Sequence, residues 1–181
     1  MKIREFKEKV EVLEDVELVV VGSKVTVKGQ SGEVTKEFKM PRFEFSSEGK
    51  NLVVSCKDYN IYDKRNFFTV KAHLKNLAKG VQEGYTYVLK VCSSHFPMNV
   101  AITGNKLIVK NLLGEKVPRE LKLKEGAKVE LKGDLIEVTG LDLELVSQVA
   151  ADIEKLTKIT NKDRRIFQDG IYITHKAGKA V

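Results

Sequence analysis

From Lys106 to Lys110, and again from Ala127 to Thr139, apolar and polar side chains alternate. That period of two is the signature of half-buried strands. It turns Leu107 and Val109 to one face, and Lys132-Gly133-Asp134 joins two such runs as a hairpin. The stretch YTYVLKVCSS (85–94) reads the same way, with Tyr85, Tyr87, Leu89 and Val91 on one face. The period then changes. In LVSQVAADIEKLTK (145–158), Val149, Ile153 and Leu156 fall at i, i+4 and i+7, one face of a helix with Ser147 as its N-cap. In TVKAHLKNLAKG (69–80), Val70, Leu74 and Leu77 do the same, with Thr69 near the helix start and Gly80 as its stop.

These patterns occur twice, in the same order. KVTVKGQSGEV (24–34) matches KLIVKNLLGEKV (106–117) at an offset of 82, NLVVSC (51–56) matches DLIEVT (134–139) at 83, and the two helical stripes match at 79. Three matches in one order mark a duplication in which only loop lengths have drifted. The expected fold is α+β, with two tandem homologous domains, each a small, mainly antiparallel sheet packed by one helix. The boundaries expected are 1–82 for the first repeat, 83–160 for the second and 161–181 for a basic C-terminal segment.

Composition narrows the class. With 42% hydrophobic and 31% charged residues, the chain has enough apolar material for a core and too much for general disorder. Its net charge of +7 is unevenly spread, because Lys155 to Val181 hold seven basic residues against two acidic ones and so carry five of the seven charges. Such clustering points to a polyanionic partner, whereas a solvated basic end is the bland alternative. No apolar stretch approaches the roughly 18 residues of a membrane span, and MKIREFKEKVEVLEDVE does not read as a signal peptide. Cys56 and Cys92 sit in strand-like runs without metal-ligand spacing, so the expectation is two buried thiols in a reducing compartment.

Catalytic residues are hard to find. The sequence has no H-E-x-x-H, no G-x-S-x-G and no Walker-type loop, since KGQSGE lacks the Lys-Ser/Thr end that holds phosphate and magnesium. His73, His95 and His175 are scattered. Asp142 and Glu144 alternate with leucines as in a half-exposed strand or loop, and Ser94-His95 are neighbours without a triad's geometry. The expectation is no enzyme, no metal and no cofactor.

The basic end, TKITNKDRRIFQDGIYITHK (157–176), carries a different chemistry. Lys155, Lys158, Lys162, Arg164, Arg165 and Lys176 can neutralise phosphates with release of counterion. Phe167 and Tyr172 offer planar faces for a base or ribose, and Asn161 and Gln168 add neutral donors. Asp169-Gly170 is a turn dipeptide that would fold the segment into a compact knob. Phe167, Ile171 and Tyr172 serve equally well as anchors onto the second domain, and the two roles are compatible.

The motifs RRIFQDGIY (164–172), SHFPMNV (94–100), NLLGEKVPR (111–119) and HLKNLAKGVQEGYTY (73–87) resemble the large-subunit ribosomal protein L-six family in its archaeal and eukaryotic branch. The resemblance spans nearly the whole chain and includes the duplication. It implies a cytoplasmic, ribosomal, rRNA-binding structural protein. Its C-terminal domain would contact large-subunit rRNA near the stalk base and the elongation-factor site, with neighbouring large-subunit proteins as partners. Carried over by position, the family motif falls on Gln148, Lys162, Arg165, Phe167, Asp169, Gly170, Tyr172 and Lys176, with Arg165 and Lys176 as phosphate contacts. The alternative is a protein-interaction module whose basic end binds an acidic protein.

Overall fold

The computed structural model describes residues 5–11, 16–40, 42–48, 51–57, 60–163 and 165–181. Two compact units divide the chain, the first ending at Gly84 and the second beginning at Tyr85. In the first, β1 (Glu5–Glu11), β6 (Asn51–Lys57) and β5 (Phe43–Glu48) form one antiparallel sheet, while β2 (Glu17–Val21), β3 (Lys24–Gly29) and β4 (Gly32–Glu37) form another. Helix α1 (Ile61–Glu83) closes the core. Val25 and Val27 of β3, Val54 of β6 and Phe67, Val70, Leu74 and Val81 of α1 are almost completely buried there.

The second unit repeats this plan. Strands β8 (Asn99–Thr103), β9 (Lys106–Lys110) and β10 (Arg119–Lys122) form one sheet. Strands β11 (Ala127–Lys132), β12 (Leu135–Gly140) and β7 (Tyr85–Cys92) take the order that β5, β6 and β1 take in the first unit. Leu107, Val109, Leu89, Ile136 and Val138 bury against Val146, Val149 and Ile153 of α2 (Leu143–Leu156). Beyond the repeat, β13 (Gly170–Lys176) pairs antiparallel with the other edge of β7, and β14 (Lys179–Ala180) folds back on it. The α+β plan of two sheet-plus-helix units is therefore the observed one, and the hairpin at Gly133-Asp134 and the inward pairs Leu107/Val109 stand as expected.

The helix ends differ from expectation. α1 starts at Ile61 and not near Thr69, because Asn60 builds a capping box: its Oδ1 accepts from the amides of Tyr62 (2.8 Å) and Asp63 (2.9 Å), while Asp63 Oδ2 accepts from the Asn60 amide (3.0 Å). Gly80 is buried inside the helix, which runs on to Gly84, a residue at φ 72°. Asn60→Ala is expected to cost about 1 kcal/mol, read as a lower urea midpoint for the first unit. In α2 the N-cap is Asp142, whose carboxylate accepts from the Glu144 amide at 2.9 Å; Ser147 lies within the helix, its hydroxyl donating to the Glu144 carbonyl. Asp142 and Glu144 thus open a helix instead of alternating along a strand.

Each unit closes the C-terminal end of its helix with the same region of the repeat, using different chemistry. In the first, Ser31 in the β3–β4 turn donates its amide to the Val81 carbonyl and its hydroxyl to the Gln82 carbonyl, both at 3.0 Å. In the second, the Arg119 guanidinium reaches the carbonyls of Leu156 (2.8 Å) and Lys158 (3.1 Å) and is itself held by Glu115 at 2.6 Å. That hydrogen bond from Arg119 draws the Glu115 carboxyl below its ordinary range. Cys56 is buried as expected, but Cys92, at the end of β7, is only half-buried.

Candidate nucleic-acid interface

The C-terminal end of α2, the loop after it and β13 make one face of the second unit. Lys155 and Lys158 project from the end of the helix and are exposed. Thr157 between them is buried, and its hydroxyl accepts the Ile171 amide at 2.9 Å, which ties the helix end to β13. Asn161 then turns the chain with φ at 60°, a left-handed conformation that Asn tolerates better than most residues.

Asp163 organises the next turn. Its carboxylate accepts from the Arg165 amide at 2.9 Å and from Arg165 Nη2 at 2.8 Å, and its carbonyl accepts from the amides of Ile166 and Phe167. Arg165 hydrogen bonding holds the Asp163 carboxyl below its usual range. The outcome is a guanidinium steered by its neighbour while 90% of its side chain stays exposed.

Phe167 is half-buried. The His95 ring stacks on it with centroids 4.8 Å apart and an 18° interplanar angle, and the Lys162 ammonium lies 4.5 Å from its centroid. Its ring is thus engaged within the protein, so of the two roles left open the anchoring one is occupied.

Asp169 is 2% exposed and accepts from Ser94 and His95. One carboxylate oxygen takes the amides of Ser94 (2.7 Å) and His95 (3.0 Å), and the other faces the Ser94 hydroxyl (3.0 Å) and His95 Nδ1 (2.5 Å). Burial pushes this carboxyl up, but the hydrogen bonds of His95 and Ser94 outweigh it and hold the group far below the ordinary carboxylate range. Ser94, His95 and Asp169 do meet, yet not as a catalytic triad. There the imidazole bridges nucleophile and acid through its two nitrogens, whereas here the same Nδ1 faces both partners and the serine hydroxyl is bound by the carboxylate.

Asp169-Gly170 is accordingly not a turn. Gly170 opens β13 at φ 150°, and a Cβ there would come within 3.3 Å of the Tyr172 hydroxyl. The turn lies further on, at Ala177-Gly178, both with positive φ, between the paired Lys176 and Lys179.

Tyr172 separates two recesses. A groove of 790 Å³ is lined by Lys90, Cys92, Ser94, Asp134, Arg165, Gln168 and Tyr172, and a smaller recess of 240 Å³ by Lys155, Lys158, Ile159, Phe167 and Tyr172. Lys155, Lys158, Arg165, Phe167 and Tyr172 therefore converge. Lys90 was not expected there; it arrives because β7 and β13 pair Lys90 with Tyr172, a register no local pattern encodes. Lys176 lies at the other end of β13, about 13 Å along the strand from Tyr172, and Gln148 is bonded to Asp152 about 10 Å back along α2 from Lys155. Arg164 lies outside the described residues.

Among the described residues no cluster of His, Cys, Asp and Glu could hold a metal, and no helix is long and apolar enough to cross a membrane. Two repeated sheet-plus-helix units, the second with a cationic face, define an α+β protein of duplicated plan. Residues 96–170 match the family model described as ribosomal protein L6. The proteins named large ribosomal subunit protein uL6 from Sulfurisphaera tokodaii, Methanobrevibacter smithii and Haloarcula marismortui are 40, 38 and 39% identical. These alignments cover 97, 94 and 93% of this chain and 95, 96 and 95% of the relatives. The chain belongs to the ribosomal protein L6 family, in an archaeal-like form.

Proposed function

We propose that this chain is a structural constituent of the large ribosomal subunit in the cytoplasm and docks on large-subunit rRNA through its second unit. The observation that carries the docking is the convergence of Lys155, Lys158 and Arg165 on the two recesses beside Tyr172, above a loop that Asp163, Thr157 and Asp169 hold in shape. Phosphates meet the cations, and Tyr172, Asn161 and Gln168 face ribose and base edges. Phe167, Asp169 and Gly170 act by shaping this surface, and Lys162, exposed beside the Phe167 ring, adds a fourth cation to it. Lys176, with Lys179 across the Ala177-Gly178 turn, supplies a second cationic point at the far end of β13. In keeping with the family resemblance, the docking site is near the stalk base and the elongation-factor site, among neighbouring large-subunit proteins.

Binding of the purified chain to large-subunit rRNA fragments and to an unrelated duplex RNA, over a salt series, tests this. One rRNA fragment is expected to bind preferentially. Arg165→Ala should flatten the dependence of log K on log salt by roughly 0.7 to 0.9, the share of one phosphate contact. Equal, weak binding of every RNA by the wild type, or cross-links from residues 155–176 to protein alone, would replace the proposal with the protein-interaction alternative.

A further inference from the structure

The outer face of α1, in the first unit, has a composition that folding does not require. Opposite its core stripe, Ile61, Arg65, Phe68, Ala72, Lys75 and Lys79 recur at steps of four and three, and all are exposed. Ile61 is 72% exposed, Phe68 50%, and Tyr62 beside them 64%. Three large apolar side chains clustered on two turns of a solvent-facing helix mark an interaction surface better than scattered exposure does. The Arg65 guanidinium lies 4.8 Å from the Tyr62 ring centroid, which adds two of the three residue types enriched at binding hot spots.

Charge selects the partner. The helix has only two acids: Asp63 is buried and hydrogen-bonded by Arg42, and Glu83 pairs with Lys79 at 3.6 Å. Along the outer stripe the first turns are thus mainly apolar, with Arg65 set against Tyr62, and the last are cationic.

We propose that this stripe docks an acidic, amphipathic segment of another protein, with large apolar side chains seated against Ile61, Phe68 and Ala72 and carboxylates against Lys75 and Lys79. RNA is the less suitable occupant, because Ile61 and Ala72 offer nothing to a phosphate or a base edge, while interdigitating side chains use both. This surface rests on the chain's membership of the large subunit and not on the RNA role of the second unit.

The test is zero-length carbodiimide cross-linking of intact large subunits that contain the chain, whose presence is first verified by its own peptides in mass spectrometry. Absence of the chain from the subunits would overturn the ribosomal assignment together with this proposal. With the chain present, Lys75 or Lys79 is expected to be joined to an Asp or Glu of a second protein, within a segment carrying large apolar residues at helical spacing. Phe68→Ala should cut that product at least tenfold. Lysines joined only to Glu83, a yield unchanged by Phe68→Ala, or ultraviolet cross-links from Tyr62 or Phe68 to rRNA would each overturn the docking proposal and leave the RNA role of the second unit standing.

Discussion

Replacing Asp169 by Ala is expected to destabilise the second unit by about 3 kcal/mol, more than any surface substitution near it. The buried carboxylate accepts the amides of Ser94 and His95, and its removal leaves both donors facing a void. It also releases the Ser94 hydroxyl and the His95 ring, which in turn stacks on Phe167, so the whole loop from Asn161 to Gln168 loses its brace. The sign of the pH effect follows from the depressed carboxyl. Its stabilisation is complete above the unfolded-state value of about 3.9 and is lost progressively as pH falls below it. Urea unfolding between about pH 7 and pH 2 should therefore show the variant's deficit largest at neutral pH and narrowing in acid. A deficit that stayed constant with pH would mean that the ionised form contributes nothing special.

Simultaneous replacement of Lys155, Lys158, Lys162 and Arg165 by Ala is expected to have the largest effect on RNA binding. Four lost phosphate contacts lower the salt slope by roughly 3, which corresponds to about a thousandfold weaker binding near 0.1 M salt. All four residues are exposed. The fold should hold, apart from the Lys162 contact with Phe167 and the pairing of Arg165 with Asp163. The necessary control removes four other exposed lysines, Lys106, Lys116, Lys122 and Lys128, and so lowers the net charge by the same amount. If the two quadruple variants lose affinity equally, net charge alone drives the association. If only the first does, the arrangement around Tyr172 is responsible.

What could be read from the sequence was whatever depends on neighbours along the chain. The period-two runs named the inward residues of β9, and the duplication matched β3 with β9, β6 with β12 and α1 with α2, while the equivalence of β7 with β1 and of β11 with β5 came only from the sheet order. The beginning of α1 was obscured because Ile61, Tyr62 and Phe68 are apolar yet face outward, which blurs the helical period just where Asn60 and Asp63 carry the capping signal. Asp169-Gly170 misled for a related reason. Both residue types favour turns, but here the carboxylate serves Ser94 and His95, 75 and 74 residues away, and the glycine makes room for the Tyr172 ring. Whether Phe167 was a stacking platform or an anchor stayed open in the sequence because its partner, His95, is equally remote along the chain. The cationic cluster was visible as charge, whereas its division around Tyr172 and the arrival of Lys90 depend on the pairing of β7 with β13.

That pairing also orders events during synthesis. The first unit has all its strands and its helix once the chain has grown to Gly84, so it can fold while the remainder is still being made. The second unit cannot, because β7, its first strand, lies at the centre of a sheet that is incomplete until Gly170–Lys176 has been translated. Until then one edge of β7 is open, Ile171 is missing from the core, and Ser94 and His95 have no carboxylate to hold them. The cationic face therefore comes into existence late and all at once, when the scaffold beneath it closes.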